Sequence, residues 1–150
     1  MNLISTAFED GHAIPAKYTC DGLNVSPPLT WSAPPGITKS FVLIVDDPDA
    51  MPVAGKIWDH WILYNIPVET RSIDEGQSIG IEGTTSFGQK NYGGPCPPAS
   101  SGVHHYAFKI FALDVELSLP SGATKIQVET AMEHHILAEA TLTGTYKRTE

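Results

Sequence analysis

Asp47, His60, His104 and Tyr106 are the side chains of this sequence whose types and spacing could do chemistry together. Asp47 lies in the run Asp46-Asp47-Pro48-Asp49-Ala50, His60 in Trp58-Asp59-His60-Trp61, and His104 two residues before Tyr106. Each stands at the end of an apolar run that reads as a strand. The two imidazoles would donate ring N–H bonds to an anion, more strongly when protonated. Asp47 nearby would favour that form and orient one ring. Tyr106 adds a hydroxyl donor, and Gly93-Gly94 offers backbone N–H groups of the kind that form anion-binding nests. Brought together, these groups make one small polar site on an apolar sheet.

The elements that must position them can be read from pattern. Residues 93–102 are dense in Gly and Pro and form a stiff loop, whereas 103–113 are rich in β-branched and aromatic residues and form a strand. Alternation puts His104, Tyr106, Phe108 and Ile110 on one face of it, and Trp58, His60, Ile62 and Tyr64 on one face of a second strand. A third strand, 41–45, runs into the Asp-rich segment. Residues 3–31 are short apolar patches broken by Asp10-Gly11, Asp21-Gly22 and Pro27-Pro28, an all-β start. The Gly-spotted stretch 68–90 predicts loops with one or two short strands. Thr124-Lys125-Ile126-Gln127 is a capping box. Behind it Val128, Ala131, Met132, His135, Ile136 and Ala138 recur at helical spacing, predicting a helix over about 125–139 and a closing strand over 140–147. The expected architecture is a single, mainly β domain over 1–150 with one late helix.

Composition narrows the partners. Seventeen acidic against nine basic residues give a net charge of −8, with the basic residues scattered. Nucleic acid needs clustered Lys and Arg, and anionic membranes repel such a chain, so neither is an expected partner. The N-terminus has neither a basic region nor an apolar core, and the reading is cytoplasmic, with no stable membrane association. Cys20 and Cys96 show no zinc spacing. A disulfide between them stays open, but a cytosol makes two reduced thiols the expectation. Asp47, His60 and His104 could ligate zinc or iron, yet no HExxH-like spacing supports this, and the Asp-rich run lacks the offsets of an EF-hand. GxSxG, P-loop and GxGxxG motifs are missing. Cys96 sits between Pro95 and Pro97 near the site, and Cys–His nucleophilic chemistry needs only such a neighbour. His135 reads as a hydrogen-bonded packing residue, His12 as exposed, and Trp31, Trp58 and Trp61 as core or pocket wall.

Six motifs in order carry a family resemblance. They are Lys17-Tyr18-Thr19-Cys20-Asp21-Gly22, Asn24-Val25-Ser26-Pro27-Pro28-Leu29-x-Trp31, Asp47-Pro48-Asp49-Ala50, Trp58-x-His60-Trp61, Tyr92-x-Gly94-Pro95-Cys96-Pro97-Pro98 and His104-x-Tyr106. Together they resemble the phosphatidylethanolamine-binding protein family, which includes the Raf-kinase inhibitor proteins. Ala131 to Ala140 and Gly144-Thr145-Tyr146 are similar to its bacterial and archaeal branch. The resemblance implies a β-sandwich of antiparallel sheets whose pocket takes phosphate-like anions, formed here by Asp47, Trp58, His60, Pro97, Pro98, His104 and Tyr106. It further implies a non-enzymatic homodimer without cofactor that modulates a partner such as a kinase. Inhibition of serine proteases through an exposed loop is the alternative, and a hydrolase or metalloenzyme on the Asp/His pocket comes third. Met51 intervenes before Pro52 where the family has Pro directly, which predicts a reshaped rim, and His105 stands where eukaryotic members commonly carry Arg. Eukaryotic members also place a C-terminal helix beside the pocket, and the last segment predicted here is a strand.

Overall fold

A computed structural model describes residues 1–149. In chain order its strands are β1 (Leu3–Ile4), β2 (Leu29–Trp31), β3 (Ser40–Asp47), β4 (Trp58–Pro67), β5 (Ser72–Ile73), β6 (Ile81–Glu82), β7 (His104–Leu113) and β8 (Ile136–Tyr146). The helices are α1 (Met51–Ala54), a single turn, and α2 (Lys125–Met132). A small antiparallel sheet has the order β1-β2-β5 and a large one the order β6-β4-β3-β7-β8. The fold is mainly antiparallel sheet, as the pattern predicts.

The inner strands of the large sheet, β3 and β4, are covered on both faces. Phe41, Leu43, Val45, Trp61, Leu63, Phe108 and Ile110 pack toward the small sheet with Leu29, Trp31 and Ile73. Val42, Ile44, Ile62, Tyr64 and Leu113 pack on the other side with Leu117, Ala123, Val128 and Met132. That explains why β3 reads as an unbroken apolar run: every one of its residues is buried, and both faces need apolar side chains. The alternation persists into its acidic end. Asp46 points to the α2 side, where Lys109 Nζ (3.0 Å) and Lys125 Nζ (3.2 Å) neutralise it, and Asp47 points the other way.

Strand β4 departs from simple alternation. Val45 pairs with Trp61 but Asp46 pairs with Asp59, so His60 is an extra residue in the ladder, a β-bulge. The bulge turns His60 toward Tyr106, onto the side where Trp61 packs, while Ile62 and Tyr64 face α2. The predicted common face of Trp58, His60, Ile62 and Tyr64 is therefore split at the bulge.

The late helix is shorter than 125–139. Its capping box forms in both directions, Gln127 N–H to Thr124 Oγ1 and Thr124 N–H to Gln127 Oε1. It stops at Met132, because His134 takes a positive φ of 68° and the chain reverses into β8. Residues 136–140 are good helix formers by composition, yet they pair with β7, Ala138 opposite Ala112 and Ala140 opposite Ile110. Tertiary pairing overrides propensity here. Residues 10–14 then run along β8, with Gly11 N–H bonding Thr143 O and Ile14 N–H bonding Thr145 O.

The two cysteines are not free thiols. Cys20 and Cys96 form a disulfide between elements 76 residues apart, with Cα atoms 5.4 Å apart. It is flanked by a Cys20 N–H bond to Pro95 O (3.1 Å) and a Gly94 N–H bond to Asn24 Oδ1 (2.8 Å). Sequence missed the pairing because it shows only when the fold brings residues 16–24 beside 93–98. By loop closure alone, Cys20→Ser/Cys96→Ser lowers folding stability by about 4.5 kcal/mol, measurable by urea denaturation, with a steeper slope because the unlinked denatured chain exposes more surface.

Candidate functional site

The three strand ends named above converge. Asp47 (end of β3), Trp58 and His60 (start of β4), and His104 and Tyr106 (start of β7) line one cleft of about 200 Å³. Pro97 and Pro98 form part of its wall, so all seven residues singled out in the sequence stand around the same space. Five further lining residues escaped that reading as site residues: Ala50, Val53, Ala54, Phe87 and Cys96. The first three come from α1 and the turn before it. Met51 itself lines the neighbouring cleft with Lys56 and Ile57, while Val53 and Ala54 stand at this one. Phe87, from the Gly-spotted loop, packs edge-on against Trp58 (5.6 Å) and His60 (5.4 Å). No periodicity in that loop marks it.

A hydrogen-bond chain sets the back of the cleft. Asp47 Oδ1 accepts from Asp49 N–H (2.8 Å) and its Oδ2 accepts from His104 Nδ1 (2.6 Å), both side chains being almost wholly buried. His104 Nε2 lies 2.8 Å from Ser101 Oγ, which donates its own proton to Pro98 O (2.6 Å). His104 Nδ1 thus donates to the Asp47 carboxylate, and Nε2 is engaged by the Ser101 hydroxyl. This pair closes on itself inside the protein. Outside it, His105 Nδ1 meets Asp49 Oδ2 at 2.7 Å. Burial pushes the Asp49 carboxyl up, but hydrogen bonds from the His105 ring and backbone outweigh this and hold it below its ordinary value.

His60 is bound differently from the expectation that it would donate to a ligand. Its Nδ1 donates to Gly93 O at 2.6 Å, and Gly93 N–H returns a bond to the His60 carbonyl (3.0 Å). Gly94 N–H is held by Asn24. The predicted anion nest at Gly93-Gly94 is thus absent, because both N–H groups have internal partners. Glycine at position 94 is nonetheless required: a Cβ there would meet Tyr18 O at 2.2 Å. Burial pushes the His60 imidazole below its usual pKa, against the opposing pull of the Gly93 bond and Asp47. Burial, with Asp47 nearby, also drives the Tyr106 phenol far up, so it remains a neutral donor.

Comparison with known proteins now bears on the site. The sequence profile described as phosphatidylethanolamine-binding protein matches residues 4–147. The chain belongs to the phosphatidylethanolamine-binding protein family. A UPF0098 protein of Methanothermobacter thermautotrophicus is 46% identical over 155 residues, covering 99% of each chain. Another from Aquifex aeolicus is 48% identical, covering 99% of this chain and 89% of its own. The crystal structure of a family homologue from Chlamydia trachomatis superposes with a TM-score of 0.91 at 43% identity, over 98% of this chain and 97% of that one. The crystal structure of E. coli YBCL, described as a new member of the mammalian PEBP family, gives 0.90 at 30% identity, over 99% of this chain and 98% of that one.

Two outcomes follow for this member of the family. The unfolded chain takes up the His60 proton near pH 6.5, whereas the depressed folded-state pKa delays it to lower pH. The unfolded state then binds more protons, so this contribution to stability is complete above pH 6.5 and declines as pH falls through the folded-state value. Long-range ¹⁵N–¹H spectra at pH 6.5 should show His60 as the neutral Nδ1–H tautomer. Asp47→Ala leaves the buried His104 Nδ1 and Asp49 N–H without their partner and should lower stability by about 2 kcal/mol or more, whereas Asp49→Ala, which breaks an exposed pair, should lower it by about 1 kcal/mol or less; urea denaturation compares them.

Proposed function

We propose that the cleft binds one small oxyanion and that the protein works by binding rather than by catalysis. The observation that carries this reading is the meeting of Asp47, His60, His104 and Tyr106, from three strand ends, at the polar base of a cleft otherwise walled by apolar side chains. Small-ligand sites are generally built this way, with a few convergent polar groups fixing orientation.

Two features support binding over turnover. Asp47, His104 and Ser101 have the order of a nucleophile relay, but the Ser101 proton goes to Pro98 O and the hydroxyl stands outside the cleft wall. A hydroxyl so anchored holds the imidazole in place. Cys96 is in a disulfide and offers no thiolate. The exposed apolar rim of Val53 and Phe87 beside the cleft is where an occupied site would meet a protein partner. Modulation of a kinase is the form of action we propose, with protease inhibition as the alternative. A persistent disulfide is the rule in oxidising compartments and the exception in cytosols, which weighs against a cytoplasmic location.

The test is a phosphate titration followed by NMR on wild type and Tyr106→Phe. Saturable shifts at His60, His104 and Tyr106, weakened about fivefold in the variant by loss of one hydrogen bond, are expected. A folded protein that shows no saturable shift at millimolar phosphate would remove the oxyanion reading.

A further inference from the structure

His60 offers the cleft an acceptor. Gly93 O is a carbonyl and can only accept, so the 2.6 Å contact assigns the proton to Nδ1. On the neutral ring Nε2 then carries a lone pair. Nε2 has no protein partner and is not among the sealed, unpartnered polar atoms of the interior, so it opens on the cleft that His60 lines. The same holds for the Tyr106 hydroxyl. The cleft base therefore pairs one outward acceptor with one outward donor.

The charged groups around His60 do not reverse this polarity. From β3 come Asp47, which is tied to His104, and Asp46, which faces α2 and the two lysines; Asp59 of β4 likewise faces Lys125. From β7 come His104, whose two nitrogens are engaged, and the neutral Tyr106. Phe87 covers the ring from the 83–88 loop and Gly93 from the next, and neither titrates. No unpaired cation faces His60 from any of these elements. A fully ionised dianion would set its own lone pairs against Nε2 in a space with little water.

Resting on the oxyanion reading, we propose that His60 makes the cleft selective for an oxyanion that carries its own proton, a phosphomonoester monoanion, over sulfate, a phosphomonoester dianion or a phosphodiester. The ligand P–OH donates to His60 Nε2, and an unprotonated oxygen of the same group accepts from Tyr106. Sulfate has the same shape but no proton near neutral pH. A diester is monoanionic yet has no O–H to give.

The experiment is a titration of the wild-type protein at pH 6.5 with inorganic phosphate, methyl phosphate, sulfate and dimethyl phosphate, read by calorimetry and by the ¹⁵N shifts of His60. Phosphate and methyl phosphate should saturate, and sulfate and dimethyl phosphate should bind at least about tenfold more weakly, the weight of one well-formed hydrogen bond to a charged group. Above about pH 6, where a phosphomonoester loses its second proton, methyl phosphate affinity should fall about tenfold per pH unit. The dimethyl arm separates a lipid-type diester from a free monoester. Sulfate equal to phosphate, or diester equal to monoester, overturns the selectivity while leaving the oxyanion site standing. Silence from all four overturns both.

Discussion

Burial of the large sheet's inner strands on both faces is the constraint from which the rest follows. A sheet with one wet face can carry polar side chains anywhere along its strands. Here β3 has no exposed residue, so polar groups are confined to the strand ends or must be neutralised in place. Asp46 takes the second course with two lysines, and Asp47 takes the first, at the edge of the sandwich beside His104. The cleft is thus where the large sheet's apolar demand ends.

Rigidity in the cleft comes from bonds that the elements make to one another. The wall at 93–98 is held by the His60 ring and carbonyl through Gly93, by Asn24 through Gly94, and by Cys20 through Cys96. These partners come from two remote parts of the chain, the 16–24 segment and the start of β4. A ligand therefore meets a preformed shape, with little ordering left to do on binding.

How much of this is legible in the sequence depends on distance along the chain. The strand β7 follows strict alternation, and His104 and Tyr106 lie where a period of two puts them. The Thr124–Gln127 capping box is a local signal and forms as written. Where the deciding contact is remote, pattern misleads. The bulge at His60 depends on the register with β3, the end of α2 depends on pairing of 136–140 with β7, and the disulfide depends on two loops meeting. The Gly93-Gly94 nest fails for the same reason, since its N–H groups are claimed by residues far away in sequence. Family resemblance covered much of that gap for the cleft residues, but not for Phe87, whose role depends on where an irregular loop folds back.

The run of residues 10–14 along β8 has a consequence beyond packing. Strand edges are templates on which other chains can zip. Backbone bonds from Gly11 and Ile14 to Thr143 and Thr145, and from Thr145 back to His12, occupy that template over the end of β8 nearest the cleft strands. Ile14 seals the contact against Gly144, where any larger side chain would collide with it at 2.4 Å. Residues 10–14 thus serve as a hem on the sheet, and their loss would leave a sticky border.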